Sequence, residues 1–234
     1  MRDNGCIRYH AVDNDFSYQT KAGKIVFMQD TCEHRWPKDM SSIKKNLDYL
    51  DIEVNRAVAT YYVLKTMHRE ASRRPDIHKA LNASKWAWAY ILFSLQCTFF
   101  IQMERIFDGS SRHNVKKVVD MAIDHAQKNA PAKLPSLRRL EKRLDKYTKM
   151  VSSYRDIRRK VFAHPVFSKA ADIDRLFNKT EVSEAETILR FLQRCVSALM
   201  MFILNGHDIR LRQQRISLKD KVVTDTCRLL RNIR

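Results

Sequence analysis

At 234 residues the chain is long enough for one sizeable domain with an appendage, and long enough to bury a real core. With only 4 Gly and 5 Pro to make turns, a sheet-rich fold is disfavoured and long helices joined by few loops are expected. The formal net charge of +18 favours phosphate polymers or acidic surfaces as partners, with a plainly solvated basic face as the alternative.

The charge is unevenly placed. Residues 1–42 carry six basic and six acidic side chains, whereas residues 43–205 carry 30 and 17, and residues 206–234 carry 8 and 3. The helical body is itself basic, most densely over residues 133–160, where 11 basic side chains face 3 acidic ones. Five cysteines, odd in number and without a CxxC pair, speak for a reducing compartment. An N-terminus without an apolar signal stretch points the same way, so a cytoplasmic location is expected.

Residues 1–42 read as an N-terminal extension. Phe16 to Thr20 and Ile25 to Met28, around Lys21-Ala22-Gly23-Lys24, form either a small hairpin or an irregular segment. Cys6, His10, Cys32 and His34 are of the types that bind zinc, but C-x3-H and C-x-H are not recognised ligand spacings. No metal and no cofactor are expected.

From Ser42 a helical period begins: Ile43, Leu47, Leu50, Val54, Ala57, Tyr61 and Leu64 make one apolar stripe. Pro75 suits the first turn of a second helix that runs to Phe107 and stops at Gly109. Its apolar run, Ala87 to Ile101, is shorter than the ~20 residues a bilayer requires and includes Gln96 and Thr98. A helix buried on most sides is therefore expected, not a membrane span. Trp86, Trp88, Tyr90, Phe93, Phe99 and Phe100 are read as core in preference to a base-stacking surface.

A third helix covers roughly 112–129 and is closed by Pro131. The fourth starts from Ser136 as cap, with Leu137, Leu140, Leu144, Tyr147, Val151, Tyr154, Ile157 and Val161 as its seam. Ser183 and Glu186 have capping-box spacing and open a fifth helix, through Leu192, Val196, Leu199 and Ile203 to Gly206. A basic helix over roughly 217–232 follows, suited to RNA, an acidic partner, an anionic membrane surface or plain solvent. The expected architecture is all-α, an up-and-down bundle of about five to six helices, with 43–205 as the helical domain and 206–234 as a basic C-terminal helix. No helix-turn-helix spacing stands out.

The densest chemistry is Ile157-Arg158-Arg159-Lys160-Val161-Phe162-Ala163-His164. Histidine moves protons near neutral pH, and the planar arginine fork holds phosphate oxygens. Together they suffice to cleave RNA, because the attacking 2′-hydroxyl belongs to the substrate. As a bare pattern, Arg followed by His after four to six intervening residues occurs three times, against ~2 expected by chance. Pro165 pushes His164 out of helical geometry. In a straight helix His164 falls about 20° from Ile157 and about 120° from Arg158, so Pro165, the reach of Arg158 or a second subunit must bring the pair together. The alternative is a satisfied helix-end histidine beside a solvated arginine face. His68, His113 and His125 lie on separate expected elements without a matching partner, and nothing in the sequence places Glu53 beside Glu104.

Three stretches, Leu47-Asp48-Tyr49-Leu50-Asp51-Ile52-Glu53-Val54, Arg105-Ile106-Phe107-Asp108 and Ile157 to His164, carry a resemblance. Over residues 43–205 the chain resembles the HEPN superfamily, in its abortive-infection, AbiU-type branch. The resemblance implies a helical bundle, a homodimer with two Arg/His motifs on a shared basic cleft, and metal-independent ribonuclease activity in toxins or phage-defence effectors. A nucleotidyltransferase-type antitoxin is an implied partner, and inactive binding modules are also part of the superfamily. Carried over, His164 is the acid/base and Arg158 the phosphate-holding residue, with Arg155, Arg159 and Lys160 as RNA contacts. The position after the motif arginine is commonly Asn, Asp or His; here it is Arg159, which either adds a phosphate contact or leaves the supporting role vacant.

Overall fold

A computed structural model describes residues 17–21, 24–28, 38–111, 113–157, 159–160, 182–205 and 217–233. The chain divides into two units, Met1–Pro37 and Lys38–Arg234. In the first, strands β1 (Ser17–Lys21) and β2 (Lys24–Met28) pair antiparallel, with Tyr18 opposite Phe27 and Thr20 opposite Ile25. Aromatic and β-branched residues suit such a ladder, so of the two readings of this segment the hairpin is the one observed. Cys6, His10, Cys32 and His34 lie outside the described residues.

The second unit is an all-helical bundle organised around one long element, α1 (Lys38–Arg73). At 1.5 Å per residue this helix is ~54 Å long, and it touches most of the other helices. All seven residues of the expected stripe are buried, and Val58, Tyr62 and Met67 widen it. A helix with so broad an apolar face is stable only when covered on several sides.

The expected second helix is two. Helix α2 (Pro75–Ala83) takes Pro75 in its first turn and ends at Ser84, where φ −123° and ψ 45° leave helical geometry; α3 (Lys85–Phe107) follows. Asn82 and Ser84 have side chains that compete for backbone hydrogen bonds, which makes this a cheap place to break a helix. Ile77 joins Met67 and Leu230 in a small core, against which Trp88, Leu92 and Leu95 of α3 pack.

Helix α4 (Val115–Asn129) is capped by Asn114, whose side chain accepts the Lys117 N–H at 2.8 Å. A 3-10 turn at Pro131–Lys133 leads into α5 (Leu134–Met150). The start of α5 lies before the expected cap: Ser136 is inside the helix, where its hydroxyl accepts from Arg139. The seam continues across a break at Val151 into α6 (Ser152–Ile157), with Leu137, Leu140, Leu144, Val151, Tyr154 and Ile157 all buried. Val161 lies outside the described residues.

Helix α7 (Val182–Asn205) packs on α1, and α8 (Ser217–Arg231) covers α1 along another side. Tyr147 of α5 stacks on Phe191 of α7 at 4.2 Å between ring centres. Glu186, given capping-box spacing in the sequence, also reaches other helices. Its carboxylate accepts from Tyr62 Oη at 3.0 Å and from Lys65 and Arg190, and Lys219 of α8 lies 3.9 Å away. Lys219 also sits over the Tyr62 ring, 5.2 Å from its centre. One acid thus ties together α1, α7 and α8.

Burial alone would raise the Glu186 carboxyl, but hydrogen bonds from Lys65, Arg190 and Tyr62 outweigh it and bring it down to about 2 from 4.5. A depressed acid contributes stability that is complete above about 4.5 and lost as pH falls toward about 2. Glu186→Gln should cost about 2 kcal/mol at pH 7, and its deficit should shrink progressively below pH 4.5. Urea melts of both proteins at several pH values check this; a deficit constant down to pH 3 would remove Glu186 as the acid-sensitive tie.

Candidate functional site

The geometry of the basic helix end is set from its apolar side. Tyr154 of α6 is 1% exposed and meets Phe100 at 5.4 Å and Phe99 at 6.2 Å between ring centres. Pinned in this way, α6 presents Arg155 to the last turn of α3, and Arg159, two residues beyond the end of α6, reaches the same turn. There Glu104, only 5% exposed, holds both: Arg155 Nε lies 4.0 Å and Arg159 Nε 3.7 Å from its Oε1. A carboxylate this deeply buried is tolerable only when cations face it.

Asp108, one turn further along the chain, joins the same cluster. The Ser110 hydroxyl and backbone N–H hold its carboxyl below the ordinary range, with Arg155 and Arg159 contributing at longer reach. On the adjoining face of α1, Glu53 pairs with Arg56 at 3.1 Å and with Arg105 of α3 at 3.6 Å. Further toward the start of α1, His113 stacks on Tyr49 at 4.5 Å and shares a 2.6 Å hydrogen bond with Asn46. Asp51 is pushed up to about 6, by burial first and by neighbouring Asp48 second, with a hydrogen bond from Asn55 opposing.

Of the five residues singled out from the sequence, Arg155, Arg159 and Lys160 are described, and Arg158 and His164 lie outside the described residues. Lys160 is exposed. Arg155 and Arg159 are partly committed to an acid. In both pairs the approach to Glu104 is made by Nε. Sequence reasoning missed Glu104 and Asp108 as partners of these arginines, because the pairing joins two helices some fifty residues apart in the chain. It also left His113 without a partner, which the fold supplies from α1.

Helix α5 adds a second cationic feature. Arg138, Arg139, Lys142, Lys146 and Lys149 are all exposed and recur at three- and four-residue steps, forming one stripe that leads toward α6. Arg138 is balanced by Glu141 at 2.9 Å; among the described residues no ion pair is made by Lys142, Lys146 or Lys149. No group of three or more potential metal ligands occurs among the described residues. None of their helices is long and apolar enough to cross a membrane.

Comparison with family models supplies the class: residues 40–220 match a HEPN-superfamily model. That model is the one described as AbiU2, and the chain belongs to this family. Comparison with curated proteins and with solved structures gives no match. The match extends past residue 205 into the start of α8, so the family's domain includes the Lys219 contact with Glu186.

The Tyr154 hydroxyl is buried and has no hydrogen-bond partner among the described residues. Tyr154→Phe should therefore be neutral or stabilising by about 1 kcal/mol. Tyr154→Ala should cost about 3–5 kcal/mol and loosen the Arg155 and Arg159 contacts. Thermal melts of the two variants check the order; a destabilised Phe variant would show that the hydroxyl has a partner.

Proposed function

We propose that this AbiU2-family protein is a metal-independent endoribonuclease acting as a toxin or phage-defence effector. The observation that carries the reading is the family match over residues 40–220, which spans the Arg158 to His164 segment. In this reading His164 is the acid/base and Arg158 steadies charge on the scissile phosphate. The ribose 2′-oxygen attacks the adjacent phosphorus, a 2′,3′-cyclic phosphate forms, and the 5′-oxygen leaves with a proton. Each cleavage needs one group to take the 2′-hydroxyl proton and one to return a proton to the leaving oxygen. Two copies around one cleft supply two histidines for those two tasks. Arg155, Arg159, Lys160 and the α5 stripe hold the RNA backbone. A nucleotidyltransferase-type antitoxin in the cytoplasm is the expected regulatory partner.

A second reading, a catalytically inactive module that binds RNA or a partner protein, is favoured by one observation. Arg159 stands where a small polar residue commonly supports the site, and its charge is drawn to Glu104.

His164→Ala should lower the RNA-cleavage rate by 10²–10⁴-fold, on the order of general acid–base catalysis, while RNA binding and the melting temperature stay unchanged and EDTA has no effect. Cleavage that survives the substitution removes His164 from the mechanism; RNA binding without cleavage in the parent protein favours the second reading. Converting Lys142, Lys146 and Lys149 together to Gln should reduce the slope of log affinity for single-stranded RNA against log salt by about 2. An unchanged slope in that titration would take the α5 stripe out of the RNA path.

A further inference from the structure

The two halves of α3 have opposite environments. Its C-terminal half is packed, with Phe99, Phe100, Met103, Ile106 and Phe107 buried. Its N-terminal half was expected to be core, yet Trp86 is 81% exposed, Tyr90 73% and Phe93 48%, with Ile101 at 44% further along. Steps of four, three and eight put these four on one outward stripe, about 22 Å long. From Trp86 to Met103 no residue is charged. With Ile91, which is also exposed, α3 presents about 600 Å² of apolar surface, more than scattered surface residues account for.

The exposed start of this helix lies at a basic end of the bundle. Met67 of α1, Ile77 of α2 and Leu230 of α8 form one small core there, and Trp88, Leu92 and Leu95 pack against it from the inner side of α3. Close to those residues in the chain, Arg73, Lys79, Lys85, Arg228 and Arg231 are all exposed. The acids nearby are already met: Glu70 lies 2.9 Å from Arg69, Asp76 2.9 Å from Arg74 and Asp225 4.0 Å from Arg228. The surplus at this end is therefore positive. Lys85 Nζ sits over the Trp86 ring, 5.5 Å from its centre, so cation and apolar ring adjoin where the stripe begins.

Cations beside exposed apolar groups distinguish this end from the other basic surface. The α5 stripe has exposed cations, but among the described residues no large apolar side chain of α5 is exposed. Such a surface suits a phosphate backbone. At the α3 end, Ile91 and Ile101, and Leu229 of α8 at 59% exposure, offer nothing to a phosphate or a stacked base. Trp and Tyr combine an apolar ring with a polar tip and settle at the headgroup level of a bilayer. An apolar face edged by Lys and Arg, with Trp among its rings, is the pattern of a helix lying in the plane of an anionic membrane surface.

We propose that the outer stripe of α3 docks peripherally on an anionic phospholipid bilayer. Trp86 and Tyr90 enter the headgroup layer, Phe93 and Ile101 rest against the acyl boundary, and Lys79, Lys85 and Arg231 meet lipid phosphates. The binding uses none of the residues assigned to RNA.

The test uses the full chain, treated with nuclease, and vesicles of phosphatidylcholine with or without about one-third phosphatidylserine, at physiological ionic strength. The chain should sediment with the anionic vesicles and only weakly with pure phosphatidylcholine. Tryptophan emission should shift to the blue on binding, and Trp86→Phe should remove that shift. Trp86→Ala combined with Tyr90→Ala should weaken vesicle binding at least about thirtyfold, through lost apolar contact, with circular dichroism and melting temperature unchanged because both side chains are exposed. Lys79→Gln with Lys85→Gln should cost about fivefold per charge removed. Converting Lys142, Lys146 and Lys149 to Gln should change vesicle binding much less than either pair.

Equal affinity for the two kinds of vesicle overturns the proposal, as does full binding by the Trp86→Ala, Tyr90→Ala protein. An α5 variant that loses as much binding as the α3 variants also overturns it, since charge alone would then be responsible. So does a double variant that is released from poly-uridine, or whose sedimenting mass falls in the absence of lipid, because the face would then serve RNA or another protein chain. RNA cleavage through His164, measured without vesicles, should be the same in the double variant, so this proposal and the catalytic reading fail separately.

Discussion

The helical unit depends on burying the wide apolar face of α1. A 36-residue helix cannot hide such a face against a single neighbour, and α2, α3, α4, α7 and α8 each cover part of its length. The core residues of those helices are arranged around that requirement. Leu50, Val54, Ala57 and Val58 are fully buried in its middle, and Met67 near its end meets Ile77 and Leu230. Glu186 reinforces the same assembly electrostatically. It draws Tyr62 and Lys65 of α1, Arg190 of its own helix and Lys219 of α8 to one carboxylate. The basic C-terminal helix is therefore part of the bundle's packing rather than an appended tail, and the family match that runs to residue 220 reaches the same element.

The basic helix end is organised by the same rule at smaller scale. Buried aromatics of α3 hold Tyr154, Tyr154 holds α6, and Arg155 of α6 and Arg159 just beyond it lie over the buried carboxylate of Glu104. Much of the positive charge elsewhere is solvated, and the exposed cations of α5 meet few acids. Near α6 the balance differs, because Glu104 and Asp108 lie in the field of Arg155 and Arg159. An arginine held by an acid at one nitrogen keeps a fixed direction and loses little freedom when it meets a phosphate.

Helix α3 performs two tasks on two faces. Trp88, Leu92, Leu95, Phe99 and Phe100 face inward, and Trp86, Tyr90 and Ile101 face outward, although all of them belong to one apolar run. Composition made the run look like a helix buried on most sides. The break at Ser84 and the docking of α6 on its second half leave the first half at the margin of the bundle.

The sequence by itself determined the helical class, the α1 stripe, the α5–α6 seam from Leu137 to Ile157 and the first-turn place of Pro75, because periodicity and helix-start signals are local and written in neighbouring residues. It also carried the family resemblance, on stretches that the match over residues 40–220 spans. Only the tertiary structure decided that Glu186 joins three helices, that Glu104 receives Arg155 and Arg159, and which aromatics of α3 face outward. Those outcomes depend on which helices become neighbours. A charged side chain with several possible partners, or an apolar one in a continuous apolar run, has no local preference among them, and packing makes the choice.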